Sequence, residues 1–104
     1  MMKRKTRTDR NHAIYVITNT ATAEQYVGVT VCSGNVKKAL KVRMQKHVRR
    51  ALTENKDWAL CKSIRAYGVD AFTYGLLETL RGKAPAHARE RELTKIHSPV
   101  LNTL

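Results

Sequence analysis

Residues 13–31, AIYVITNTATAEQYVGVTV, contain two short runs that are rich in β-branched and aromatic side chains. Apolar residues recur at alternate positions through residues 14–17 and again through residues 26–31, with a polar stretch between the two runs. This pattern predicts two strands joined by a loop of about five residues, a β-hairpin. Because successive side chains of a strand point to opposite faces, we expect Tyr15 and Tyr26 to share one face of the hairpin.

Beyond the hairpin, three segments show helical features and one further run is strand-like. In chain order these are a helix from Asn35 to about residue 53, a helix from near Lys56 to Tyr67–Gly68, a strand over residues 71–77, and a helix from Pro85 to about Ile96. Asn35 suits a helix N-cap, Gly68 the position after a helix, and Pro85 a first helical turn. The order β-β-α-α-β-α predicts an α+β domain in which a three-stranded antiparallel sheet is flanked by helices.

The chain has 104 residues, which is one ordinary domain and too short for two independent cores. Residues 1–12 are polar and basic and show no periodicity, so we expect a flexible arm followed by a single domain over residues 13–104. No apolar run approaches the roughly 20 residues of a membrane span. Cys32 and Cys61 fit no disulfide or metal pattern, and we see no secretory signal, so we expect reduced, buried thiols in a cytoplasmic protein. Trp58 shows no pattern that indicates a function.

Positive charge is concentrated in the first half of the chain. The formal net charge is +12, and residues 1–50 hold twelve basic and two acidic side chains. A field of this strength on one part of a soluble domain favours a polyanionic partner, and nucleic acid is the expected one, rather than a surface that only keeps the chain soluble. Six cations of the first predicted helix are expected to bind nucleic acid: Lys37, Lys38, Lys41, Lys46, Arg49 and Arg50.

The residue types present exclude several kinds of site. The four histidines are scattered and have no cysteine near them, which argues against a zinc cluster. There is no glycine-rich phosphate loop and no pair of carboxylates of the glycosidase kind. Phenol, guanidinium and carboxylate groups remain, and these suffice for phosphodiester hydrolysis. That reaction needs a base for water, cations around the phosphate and a carboxylate-held metal ion.

Five segments in sequence order resemble the GIY-YIG nucleases. They are residues 13–15 for the first motif, residues 26–28 for the second, Arg43 to His47 for an Arg-x-x-x-His helix, residues 60–72 for a helix that ends at Tyr-Gly, and residues 90–102 for the C-terminal Glu…Asn segment. Ala13 stands where the family has its first glycine, and the stretch between Gly28 and Arg43 is longer than in compact members. The resemblance covers residues 13–102 and implies a metal-dependent endonuclease that hydrolyses DNA.

The same resemblance implies a role for each site residue. Tyr26 is the general base, Tyr15 orients water or phosphate, and Arg43 clamps the phosphate in the transition state. His47 either donates to the phosphate or only packs in its helix. Glu90 holds one divalent ion, Mg²⁺ or Mn²⁺, and no small-molecule cofactor is implied. Asn102 braces the site.

Two glutamates are candidates for the acidic residue of the C-terminal family segment. The distance to Asn102 favours Glu90, whereas Ile96 lies four residues after Glu92, as the family pattern prefers. Two residues apart on a helix point about 160° away from each other, so only one carboxylate faces the tyrosines.

Two other classes compete with a nuclease: a non-catalytic DNA- or RNA-binding protein that keeps the fold, and a basic module of the ribosomal-protein kind. The expected partner is DNA, double-stranded or branched, and the expected place is the cytoplasm, at the nucleoid. Repair, phage and mobile-element settings remain equally open.

Overall fold

The computed structural model of the protein describes residues 11–32, 34–54, 56 and 58–102. In chain order its elements are β1 (Asn11–Asn19), β2 (Gln25–Val31), α1 (Val36–Leu52), α2 (Ala59–Tyr67), a short 3₁₀ helix (Val69–Ala71), β3 (Phe72–Arg81), α3 (Lys83–His97) and a second 3₁₀ helix (Val100–Asn102). This order confirms the predicted β-β-α-α-β-α arrangement and the α+β class. None of the helices in these ranges has the length and apolarity of a membrane span.

The three strands form one antiparallel sheet in the order β2-β1-β3. β1 begins two residues earlier than the alternation predicts, so Asn11 and His12 belong to the sheet and not to an arm. His12 pairs with both Val31 and Leu80 and is buried, because the neighbouring strands extend as far as it does. Residues 1–10 of the predicted arm lie outside the described residues.

The central strand β1 is buried on both faces. Tyr15 and Ile17 face α1 and α2 and join the larger apolar cluster, whereas Ile14 packs with Val27 and with Leu93 of α3 on the opposite face. The domain therefore has three layers, with α1 and α2 on one side of the sheet and α3 on the other.

Helix ends follow the local signals only in part. Asn35 caps α1 by accepting a hydrogen bond from the Lys38 backbone N–H at 3.2 Å, and Gly68 ends α2 at a φ of 85°, which favours glycine. α2 begins at Ala59, three residues later than predicted, and β3 runs to Arg81 instead of residue 77. The extra length of β3 comes from its pairing with the start of β1, which a local apolar pattern does not reveal.

Candidate active site

Tyr15 and Tyr26 share the sheet face that α1 covers, as the alternation predicts. Their ring centroids are 6.2 Å apart. The strand register places Gly28 directly opposite Tyr15, where a Cβ atom would lie 2.6 Å from Tyr15 Cζ and 2.9 Å from Tyr26 Cε2. Residue 28 is therefore a glycine because the tyrosine rings occupy the space that any side chain needs.

Three polar side chains meet under α1. Tyr15 Oη lies 2.9 Å from His47 Nε2, and the Arg43 Nε–H donates to Tyr15 Oη at 3.3 Å. Arg43 and His47 are four residues apart on α1, which brings both to the same flank of the helix one turn apart. The cluster is buried, since Tyr15 is only 2% exposed and His47 only 3%.

His47 lies deeper than the sequence predicts. Helical periodicity places it at the edge of the apolar arc of α1, but the structure places it among the buried residues of that helix. It can be there because the Tyr15 hydroxyl supplies a partner for one ring nitrogen. Its other nitrogen, Nδ1, has no hydrogen-bond partner among the described residues.

Burial decides the charge state of this cluster. It raises the pKa of Tyr15, and the neighbouring Tyr26 raises it further. Burial also raises the pKa of Tyr26; the charge of Arg43 lowers it, and the charge of Glu90 raises it. Burial lowers the pKa of His47 to about 4, helped by Arg43 and Arg50. At neutral pH both phenols keep their protons, the imidazole is neutral, and Arg43 supplies the positive charge of the cluster.

Two depressions flank this cluster. One, the β2 cleft, has a volume of about 400 Å³ and lies between β2 and α1. Its walls carry three cations, Lys38, Arg43 and Lys46, so Arg43 contacts Tyr15 and also lines the cleft. The other, the Trp58 cavity, has a volume of about 180 Å³; Tyr26, His47, Arg50 and Trp58 are among its walls.

Asn102 holds the backbone of the second tyrosine motif. Its Oδ1 accepts from the Val27 N–H at 2.7 Å, and its Nδ2 donates to the Val27 carbonyl at 2.8 Å. β2 is an edge strand, so the amide takes the place of a further strand at this position. The contact fixes the backbone between Tyr26 and Gly28.

The two candidate carboxylates differ in their surroundings. Glu92 is exposed and pairs with Arg89 at 3.5 Å; Arg89 also pairs with Glu78 at 2.9 Å. Glu90 is half-buried, and its charge is among the causes that raise the pKa of Tyr26. Its carboxylate makes no hydrogen bond or ion pair with the residues that the structure describes. Of the two glutamates, Glu90 is therefore the one whose charge acts on Tyr26.

A single carboxylate sets what kind of metal ion could be held here. Within the described ranges, no group of three or more His, Cys, Asp or Glu side chains comes together. Magnesium and manganese accept one carboxylate with water and phosphate oxygens as their other ligands, whereas a structural zinc site needs several nitrogen or sulfur donors. The residues present therefore fit magnesium or manganese.

The six cations predicted to bind nucleic acid do not form one surface. Lys38 and Lys46 line the β2 cleft, whereas Lys41 and Arg49 line an apolar groove on the other flank of α1. Lys37 is exposed. Arg50 is half-buried and lies 5.5 Å from the centre of the Trp58 ring, so it belongs with that ring and not with the exposed cations.

The structure brings Trp58, to which the sequence pattern assigns no function, close to the tyrosine cluster. Its side chain lines the same cavity as Tyr26. The Lys56 ammonium lies 5.6 Å from the centre of the Trp58 ring. Trp58 precedes α2 and follows a segment without periodicity, so no local pattern places it beside β2. The one available signal is that it is the only tryptophan of a strongly basic chain.

No family model matches the chain, and no curated protein matches it. Among solved structures, the chain is similar to the catalytic domain of the homing endonuclease I-TevI. The two share 26% sequence identity with a TM-score of 0.64, and the match covers 88% of this chain and 94% of that one. The fold is therefore that of a nuclease catalytic domain. Since I-TevI is a GIY-YIG nuclease, the similarity confirms the resemblance to that family that the motifs predict.

Proposed function

We propose that this protein is a metal-dependent endonuclease that hydrolyses DNA phosphodiester bonds in the cytoplasm, at the nucleoid. The observation that carries the proposal is the buried cluster of Tyr15, Arg43 and His47 beside Tyr26, at the wall of a basic cleft. The similar solved domain comes from a homing endonuclease, which supports a DNA substrate.

Tyr26 is the proposed general base. Burial opposes its phenolate, as does the charge of Glu90, whereas the charges of Arg43 and Arg50 favour it. Arg43 donates to Tyr15 Oη, and His47 Nε2 lies 2.9 Å from the same oxygen, so these two groups fix the position of the Tyr15 hydroxyl. Tyr15 keeps its own proton, because burial strongly raises its pKa, and in this proposal it orients the attacking water or the phosphate. The hydrolysis rate is expected to rise with pH, since the base must lose its proton first.

Arg43 is the proposed phosphate clamp. The structure records a hydrogen bond for its Nε only, and no carboxylate that the structure describes pairs with its guanidinium. The Nη atoms are therefore available to two phosphate oxygens, the geometry in which a guanidinium binds best. Positive charge fixed at this point stabilises the negative charge that develops in the transition state.

Glu90 is the residue that would hold one Mg²⁺ or Mn²⁺ ion. A bound divalent ion supplies positive charge at the leaving oxygen of the phosphodiester. Asn102 and His47 act through their neighbours: Asn102 positions the backbone beside Tyr26, and the neutral His47 orients the Tyr15 hydroxyl.

Cleavage of linear, flapped and branched DNA in Mg²⁺, Mn²⁺ and EDTA tests the proposal directly. We expect cutting with either ion and none in EDTA. Tyr26→Phe should lose roughly 10²–10⁴-fold in rate with DNA binding retained, since a general base contributes on that order. Tyr74→Phe removes a hydroxyl from an exposed ring on the other flank of α1 and should cut normally. A protein that binds DNA in all three conditions and never cuts it is instead a non-catalytic binder.

The carboxylate is tested by a matched pair of variants. Glu90→Gln keeps the shape of the side chain but removes its charge, so we expect cleavage to collapse while DNA binding stays equal or tightens. Glu92→Gln breaks only an exposed pair with Arg89, and such pairs contribute about 0–1 kcal/mol, so its rate should stay near that of the parent. The reverse result moves the metal site by two residues; two active variants contradict a metal site on α3.

A further inference from the structure

The Trp58 cavity lies beside the tyrosine cluster, and the hydrolysis described above places no part of the substrate in it. Tyr26 and His47 form its wall towards the cluster, Trp58 and Arg50 line it, and Leu101 with Asn102 closes another part. The rings of Tyr26 and His47 meet edge to face there, with centroids 5.1 Å apart. Tyr26 therefore belongs both to the tyrosine cluster and to the wall of the cavity.

The size of the cavity limits what can enter it. Its 180 Å³ is well below the roughly 300–1,000 Å³ of ordinary small-molecule sites, so it can hold one flat ring system but neither a base pair nor a whole dinucleotide. Its walls combine aromatic rings, a guanidinium and an amide with the apolar side chains of Leu60 and Leu101. This mixture is what binds a single nucleobase, which stacks on aromatic or guanidinium planes and hydrogen-bonds at its edge.

Charge around the cavity indicates the kind of ligand. Arg50 and Lys56 both lie within 6 Å of the Trp58 ring, so the surroundings of the ring are positively charged. A nucleotide brings both a flat ring and a phosphate, and so suits a cavity whose walls are aromatic and whose surroundings are positively charged.

We infer that the Trp58 cavity binds the base of one unpaired nucleotide next to the scissile phosphate. A base inside an intact duplex is stacked on both sides and paired at its edge, so it enters such a cavity only after it has been extruded at a cost. DNA that already has an unpaired nucleotide at the cutting position is therefore the preferred substrate class, ahead of an undistorted duplex. The position of the phosphate in this inference rests on the proposed function.

Trp58 is the only tryptophan of the chain, so its fluorescence reports on the cavity alone. The wild-type protein is titrated in EDTA with three DNAs: a duplex, the same duplex with one unpaired nucleotide, and that DNA with an abasic sugar at the unpaired position. We expect the unpaired base to quench Trp58 and to bind at least about fivefold tighter than the duplex, in line with stacking of one base. The abasic DNA should show neither effect. Equal quenching and equal affinity for all three DNAs overturn the inference.

Two single arginine variants of α1 test the same inference in binding measurements with labelled DNA. Arg50→Ala should reduce the preference for the unpaired base several-fold, because Arg50 lines the cavity. Arg49→Ala removes the neighbouring cation, on the other flank of α1, and should leave the preference for the unpaired base unchanged. Trp58→Ala should abolish the preference and Trp58→Phe should keep most of it. An equal loss of preference in both arginine variants contradicts the inference, whether or not the Trp58 variants fold.

The two proposals fail in different ways. If no DNA is cut under any condition but the unpaired base is still preferred and quenches Trp58, the cavity inference stands without the nuclease. If DNA is cut while duplex and unpaired DNA are bound and cut alike, the nuclease stands and the cavity inference is wrong.

Discussion

The two flanks of α1 carry depressions of almost the same volume and different chemistry. The β2 cleft measures about 400 Å³, and the apolar groove on the other flank, here the β3 groove, measures about 410 Å³. Both contain cations, and each has a tyrosine at or beside it. In the β3 groove, however, Tyr74 is 42% exposed and the neighbours are apolar, among them Val48, Leu52 and Val69. Of the two, only the β2 cleft adjoins a buried polar cluster, and the Nδ1 of His47, which has no partner in the part of the chain that the structure describes, makes that cluster costly in stability. Positive charge alone therefore does not locate the site.

The largest expected difference between the flanks is in cleavage rate. Arg43→Ala removes the cation that contacts Tyr15 and should lower the rate at saturating DNA by roughly 10²–10³-fold, since its charge acts in the transition state. Arg49→Ala removes a cation of the β3 groove and should leave that rate within about twofold of the parent. Single-turnover cleavage measures both. Equal losses of cleavage rate in the two variants contradict the proposal that only the β2 side takes part in catalysis.

The next largest effect is a pH dependence of the free energy of unfolding, which comes from His47 in the polar cluster beside the β2 cleft. The pKa of His47 is about 4 in the folded protein, below the ordinary value of 6.5. Between these values the unfolded chain binds a proton that the folded one does not, so stability falls as the pH falls through this window. From pH 7 to pH 5 the loss due to His47 is about 2 kcal/mol.

Urea unfolding of the wild type and of His47→Gln at both pH values measures this loss. The glutamine variant lacks the titrating ring, so its stability should change less with pH, and the difference between the two proteins isolates residue 47. Identical pH dependence of the two proteins contradicts a buried, neutral His47.

The smallest expected effect concerns the exposed lysines. Lys46→Ala in the β2 cleft should lower the slope of log affinity against log salt by about one, because one phosphate contact is lost. Lys41→Ala in the β3 groove should leave the slope closer to that of the parent. If Lys41→Ala has the larger effect, DNA crosses the β3 groove.

The fold and part of the polar cluster can be predicted from patterns within short stretches of the sequence. Alternation around Tyr15 and Tyr26 predicts both the hairpin and the shared face, and helical spacing brings Arg43 and His47 to one flank of α1. What the sequence does not predict depends on contacts between distant segments. The burial of His47 requires the hydroxyl of Tyr15, 32 residues away, and the contact of Asn102 with Val27 joins positions 75 residues apart. Trp58 reaches the site through a segment with no periodicity.

The amide of Asn102 has a consequence for self-association. Edge strands with free backbone groups can pair with the edge of another molecule and start aggregation. At Val27 both outward backbone groups are already satisfied by Asn102, so an incoming strand would have to displace it first. The side chain that holds the backbone beside Tyr26 therefore also protects this stretch of β2 from intermolecular strand pairing, and a variant that loses the amide exposes a template for aggregation at the point where the site is built.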